Sequence, residues 1–341
     1  MNKLPRKSIT DQIEEEAESN GEILEDIRFD KMISTGSTLL DLSIAGGRVR
    51  GGGIPGGILV EISGMPGTGK TALLAKIGAN AQALGGFFKF ADAERRLDLQ
   101  YTLTYGARIA EENYETPHSV GDVMDIIIKA PESGGDQIDV VGVDSIAALI
   151  SREEAKDEGD KRGQAKAKEL HALMRKAKGI IAEKRRLVIF TNQLIDSTLT
   201  VGPKSKTPGG NAIPFYSSLR MKVRSPGKGF KVTRTRTIRK VEHVRVMGIK
   251  VDCEVFKSSI DDPFRVAPIY IMFGKGIDDI RANLEFIKRC YKSETYILDG
   301  QDIAGTFPKA KKIILQDNLE KQLRNEVIDL WTEIQIAFED D

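Results

Sequence analysis

Cysteine is scarce: the 341-residue chain has two, Cys253 and Cys290, with no CxxC spacing. That argues against a disulfide framework and against a structural zinc site. No segment approaches the ~18 consecutive apolar residues that a membrane-spanning helix needs. Residues 1–10 are partly basic, but no apolar stretch follows them as in a secretory signal. A cytoplasmic protein with no membrane partner is therefore expected. There is no clear internal repeat and no low-complexity tract. Net charge is also small, at +1. Any nucleic-acid binding must come from a local basic surface, not from overall charge.

What is present is a soluble globular balance, with 40% hydrophobic and 30% charged residues. The length favours one large core with smaller appended modules. Charge is unevenly spread: residues 11–26 are acidic, 228–245 are strongly basic, and the chain ends in Glu339, Asp340 and Asp341. Three regions follow. Residues 1–33 read as a polar arm with one helix, 34–270 as the main core, and 271–341 as a small mixed unit ending in a helix around 318–337.

Within the core, apolar runs at 58–63 (ILVEIS), 87–91, 138–143 (IDVVGV), 187–191 (LVIFT) and 219–224 read as strands. Helical stretches at 71–84, 123–129 and 164–184 separate the earlier ones. Near-continuous apolar strands alternating with helices predict a parallel sheet covered on both faces.

Residues 64–71 read GMPGTGKT, matching G-x-x-x-x-G-K-[ST] at every fixed position. Gly64, Met65, Pro66, Gly67, Thr68 and Gly69 would wrap a phosphate, since glycines let backbone N–H groups converge without an intervening Cβ. The helix that follows, entered through Lys70, Thr71 and Ala72, adds its N-terminal dipole. Lys70 would place its charge on the β- and γ-phosphates, and Thr71 its hydroxyl on Mg²⁺. ATP and Mg²⁺ are the implied ligands.

Three more polar residues each follow an apolar strand: Glu94, Asp144 and Gln193. The carboxyl ends of strands in an open parallel sheet line one crevice, so these can meet Lys70 despite their separation. Asp144 suits a Mg²⁺-holding carboxylate. Glu94 suits the base that orients and deprotonates a water. Gln193 suits a neutral sensor of the γ-phosphate.

Several segments taken in order resemble the RecA family of bacterial and phage recombinases: ISTGSTLLDL (33–42), the phosphate loop, DAERRLD (92–98), VDSIAAL (143–149), FTNQ (190–193) and GGNAIPFYSSLR (209–220). The resemblance runs from about residue 8 to 330. It implies an α/β fold with a RecA-type P-loop ATPase core. A largely parallel central sheet would be flanked by helices, with a small N-terminal helical arm used in polymerisation and a small α+β C-terminal domain. The implied activity is DNA-dependent ATP hydrolysis by helical filaments that form on single-stranded DNA. These pair it with duplex DNA and exchange strands, with ATP between subunits.

Carried over by position, Tyr101 resembles the aromatic that stacks on adenine, with Asp98 as its polar partner; a core or rim aromatic is the other reading of Tyr101. Two loops, 153–163 and 194–210, would face DNA. Arg162 lies in the first; Leu199, Val201, Lys204 and Lys206 lie in the second, which ends at Gly209, Gly210 and the adjoining Asn211. Lys168 and Arg175, seven apart, would share one face of the helix after the first loop. Phe215 would link the second loop to the subunit interface, or be a core aromatic.

Three features depart from the family pattern. RecA proteins usually send two lysines across the interface; here the stretch is Lys257-Ser258-Ser259, so Lys257 would act alone and hydrolysis would be slower. Arg162-Gly163 replaces a bulky apolar residue of the first loop. Residues 233–246 (TRTRTIRKVEHVRV) alternate like a hairpin with charges on one face, either a DNA or filament contact or a plain exposed hairpin. The alternatives to a recombinase are a RecA-fold ATP-binding scaffold and a hexameric helicase-type ATPase.

Overall fold

The structure, a computed structural model, describes residues 29–151, 162–196, 205–206, 212–227 and 229–339. β1 (Met32–Ile33) pairs antiparallel with β2 (Ile54–Pro55) around α1 (Thr38–Ala45), a helix with every residue buried. Ser37 caps α1, its Oγ accepting the Leu40 N–H at 3.4 Å. β3 (Leu59–Gly64) leads through the Gly-rich loop into α2 (Lys70–Ala83). β4 (Phe88–Asp92), α3 (Leu99–Thr104), β5 (Tyr114–Glu115), α4 (Val120–Lys129) and β6 (Val140–Asp144) follow. After α5 (Arg162–Glu183) come β7 (Leu187–Gln193), β8 (Ile195–Asp196), β9 (Ser205–Lys206), α6 (Ala212–Tyr216) and β10 (Leu219–Arg224). The sheet is completed by β11 (Lys231–Ile238), β12 (Val241–Ser258), β13 (Val266–Met272) and β14 (Gly276–Ile277). The chain closes with α7 (Asp279–Cys290), a hairpin of β15 (Tyr296–Leu298) and β16 (Gln301–Ala304), then α8 (Phe307–Gln316) and α9 (Glu320–Glu339).

The main sheet is ordered β5-β4-β6-β7-β3-β10-β12-β13-β14, with β11 paired to β12. The first six strands are parallel and the remainder antiparallel. The expected parallel sheet thus forms one half of a larger mixed sheet. Its strands read as continuous apolar runs because both faces are covered. Along β7, Leu187 and Ile189 enter one apolar cluster with α1 and α2, while Val188 and Phe190 enter another with α4 and α5. Arg186, just before β7, is fully buried; it donates to Ile127 O and, at 2.9 Å, to Ala130 O. These are carbonyls at the C-terminus of α4, where a cation suits the helix dipole.

Residue 270 falls within β13, and the sheet runs on to Ile277. Leu284, Ile314, Val327 and Trp331 from the terminal segment join the same apolar cluster as α1 and α2. The second expected loop, 194–210, is paired at its base: Ile195 faces Lys206 and Asp196 faces Ser205. The first, 153–163, ends inside α5, which begins at Arg162. The arm up to residue 28 lies outside the described residues.

Candidate nucleotide and DNA site

The phosphate loop joins the C-terminal end of β3 to the N-terminus of α2. Gly67 and Gly69 have φ of +73° and +89°, which glycine adopts freely. A Cβ on Gly69 would also lie 2.2 Å from Ile271 Cδ1, so the loop packs against β13. Lys70 Nζ folds back on the loop and donates to Gly64 O and Met65 O, both at 3.0 Å. Burial lowers its pKa from the usual lysine range, while Asp144 and Glu94 oppose that shift.

Thr71 Oγ1 donates to Asp144 Oδ2 at 2.5 Å, and Thr191 Oγ1 to Asp144 Oδ1 at 2.5 Å. Burial raises the Asp144 pKa above the ordinary carboxylate value, and these two hydroxyls hold it down. Glu94 Oε1 accepts from Ser145 Oγ at 2.6 Å and from Gln193 Nε2 at 3.0 Å. Lys70, Thr71, Glu94 and Asp144 therefore line one cleft of 530 Å³, and Gln193 touches it through Glu94. The four groups expected to converge from β3, β4, β6 and β7 come together.

The cleft is closed by residues that local sequence patterns did not point to. Ile249, Ile271 and Phe273 form an apolar wall from the antiparallel half of the sheet. Asp92, buried, accepts the Leu97 N–H and the Tyr114 hydroxyl, both at 2.9 Å, and so pins the turn that carries Glu94. Burial first, and Asp92 second, push the Tyr114 phenol up to about 12. Arg96 also lines the cleft, its Nη1 3.9 Å from Glu94 Oε2. Thr191 and Ser145 gave a faint signal, as hydroxyl residues at the ends of apolar strands.

Asp98 caps α3, accepting the Gln100 N–H at 2.9 Å, and lines the cleft beside Tyr101. The Tyr101 ring sits edge-on to Tyr105 with centroids 5.0 Å apart, and the Tyr101 hydroxyl oxygen accepts a hydrogen bond from the Tyr105 hydroxyl at 2.8 Å. It lies at the rim of the cleft and is 40% exposed. The hard oxygens of Thr71 and Asp144 fit Mg²⁺, which prefers a few carboxylate or hydroxyl ligands completed by phosphate and water. Among the described residues, no group of three or more His, Cys, Asp or Glu could hold a metal alone.

Lys257 does not line this cleft. Its Nζ donates to Pro214 O at 2.8 Å and Phe215 O at 3.3 Å, and burial lowers its pKa. Ser259 is exposed, its Oγ 3.2 Å from Ser218 O. Beneath Lys257 lies an ion pair hidden from local patterns: Glu61 Oε2 accepts from Arg220 Nε at 2.6 Å and its Oε1 from Asn192 Nδ2 at 2.9 Å. Only the charge inside the ILVEIS run hinted at it. Phe215 is 71% exposed, so it is not a core aromatic; it lies 6.5 Å from the His171 ring on α5.

Lys168 and Arg175 are both exposed on α5, two turns apart. For Arg162 and Lys206 the structure describes only the backbone, in α5 and β9. Leu199, Val201, Lys204, Gly209, Gly210 and Asn211 lie outside the described residues. No described helix is long and apolar enough to cross a membrane.

Residues 18–278 match the family described as the RecA N-terminal domain. The chain is 36% identical over 251 residues to Protein RecA of Thermus thermophilus, covering 73% of this chain and 69% of that one. It is 34% identical over 294 residues to Protein RecA of a Synechocystis strain (84% and 78%). It is 32% identical over 307 residues to that of Listeria monocytogenes (86% and 82%). Phosphate loop, strand-end acids and family match agree, and the chain belongs to the RecA family of DNA recombinases.

Proposed function

We propose that this chain polymerises on single-stranded DNA as a cytoplasmic helical filament, pairs it with homologous duplex and exchanges strands, with ATP hydrolysis controlling the filament. The observation that carries this reading is the convergence of Lys70, Thr71, Glu94 and Asp144 on one cleft, with Gln193 bonded to Glu94. In that cleft the loop N–H groups and Lys70 bind the triphosphate, and Tyr101, at the rim, stacks on the base. Thr71 and Asp144 would hold Mg²⁺, which neutralises phosphate charge when bound.

Glu94 accepts a proton from the attacking water. The water oxygen bonds to the γ-phosphorus as the bond to the β–γ bridging oxygen breaks, releasing ADP and inorganic phosphate. Gln193 shares Glu94 Oε1 with Ser145. It stands at the end of β7, just before the segment proposed to meet DNA. Loss of the γ-phosphate can thus reach that segment through one amide. Lys257 serves the site of a neighbouring copy, since it turns away from its own. Lys168, Arg175 and the segments around 153–163 and 194–210 hold the DNA backbone.

The decisive assay mixes the protein with a circular single strand and a homologous linear duplex, with ATP and with a slowly hydrolysed analogue. Joint molecules are expected with both. Their absence under conditions where the protein binds single strands and ATP would refute strand exchange and leave an assembly scaffold.

A further inference from the structure

The hairpin of β11 and β12 is not explained by nucleotide binding or by the sheet. Arg224, the last residue of β10, pairs with Asp252, so residues 241–251 of β12 run on past the carboxyl end of β10. The ATP cleft and the segments after β6 and β7 leave from that same end of the sheet. Every residue from Thr233 to Arg245 is exposed, on both faces of the ribbon.

The register sorts its side chains. Arg234 lies opposite Arg245 and Arg236 opposite His243; Thr233, Thr235 and Thr237 lie on the reverse face with Val246, Val244 and Glu242. Residues 231–246 hold six lysines and arginines and one acid, in a chain whose net charge is +1. Cations set directly opposite one another repel. None of Arg234, Arg236 and Arg245 has an ion pair among the described residues. The tip is Arg239-Lys240, with φ of +52° and +66°. Such two-residue turns favour Asn and Gly there. Two more cations thus stand at the tip against backbone preference.

A face of unpaired cations that the fold does not need calls for a polyanion. We propose that the β11–β12 arm is a duplex-DNA contact of the filament, with Arg234, Arg236 and Arg245 on backbone phosphates. This rests on the recombinase reading, in which the incoming duplex needs a site apart from the bound single strand. Geometry favours a duplex: a two-stranded ribbon fits the major groove, about 12 Å wide. Arg234 and Arg236 are about 6.8 Å apart along the strand, so both can reach phosphates of one DNA strand, which carries a charge every ~3.4 Å of helix axis. Arg234 also lines a groove of 700 Å³ with Lys275 and Lys312, so the basic track continues onto the body of the protein.

The test uses full-length protein assembled on single-stranded DNA with a slowly hydrolysed ATP analogue. Binding of a short labelled duplex is followed by anisotropy across a salt series, for wild type and for R234A/R236A/R245A. The wild-type slope of log affinity against log salt should exceed that of the triple variant by about 2.7, since each phosphate contact contributes about 0.9. The Arg→Lys triple variant should keep the slope, and T233A/T235A on the reverse face should not change it. Equal slopes in wild type and R234A/R236A/R245A would overturn the proposal. So would loss of slope in the Lys variant, or loss confined to single-strand binding. Single-strand-stimulated ATP hydrolysis separates the two readings. If wild type lacks it, the recombinase reading fails; if both proteins keep it while duplex binding is unchanged, only the arm proposal fails.

Discussion

Replacing Glu94 by Gln removes one negative charge and the carboxylate proposed to take a proton from the attacking water, and leaves the neighbouring contacts possible. Glu94 Oε1 accepts from Ser145 and Gln193; an amide oxygen can accept both. The other oxygen faces Arg96 at 3.9 Å, and that guanidinium is largely exposed. An exposed pair of this kind is worth at most about 1 kcal/mol, so folding stability should change by no more than about that much. Lys70 contacts loop carbonyls rather than Glu94, and ATP affinity should stay within about threefold, roughly 0.6 kcal/mol. Hydrolysis is different, because an amide cannot take the proton. Losing a positioned base should slow turnover by about 10²–10⁴-fold, on the order of 3–5 kcal/mol of barrier. Phosphate release on single-stranded DNA measures turnover, and a fluorescent ATP analogue measures affinity. Turnover within threefold of wild type would show that another group activates the water. A parallel loss of affinity would mean that Glu94 holds the site together instead.

Three further expectations rest on the same geometry. Ser259→Lys restores a second cation beside Lys257 and should raise single-strand-stimulated hydrolysis by about tenfold; no change would remove this stretch from the interface role. Glu61→Ala takes the carboxylate away from the largely buried Arg220 guanidinium and one hydrogen bond away from the Asn192 amide, and urea unfolding should show a loss of about 3–5 kcal/mol. The pair E61L/R220M should recover most of it, and a drop under 1 kcal/mol in the single variant would count against a buried ion pair. Asp41 is wholly buried, and burial pushes its pKa from 3.8 up to about 6 despite hydrogen bonds from Ser34 and Thr35. Between those values the unfolded chain has lost the proton while the folded chain keeps it, so stability falls as pH rises through the window, by about 3 kcal/mol in all. Asp41→Asn should flatten that slope between pH 4 and 6; an unchanged profile would assign the slope to other groups.

The phosphate loop was legible in the sequence because its chemistry is local. Glycines, Lys70 and Thr71 act within one strand-loop-helix unit, so their spacing alone specifies it. The parallel strands were legible too, since burial on both faces turns each into an apolar run. Glu94, Asp144 and Gln193 could be nominated because each follows such a run. Tertiary structure decided everything that depends on strand order. Thr191 and Ser145 reach Asp144 and Glu94 only because β6 lies between β4 and β7. Glu61 meets Arg220, far away in sequence, only because β10 lies beside β3. The apolar wall of the cleft comes from antiparallel strands, for which periodicity predicts no partner. Which cations of the arm share a face was suggested by alternation but set by the pairing of β11 with β12, including a bulge after Val232. Periodicity records how one segment meets solvent and core; which segments lie side by side is fixed by the packing of the whole chain.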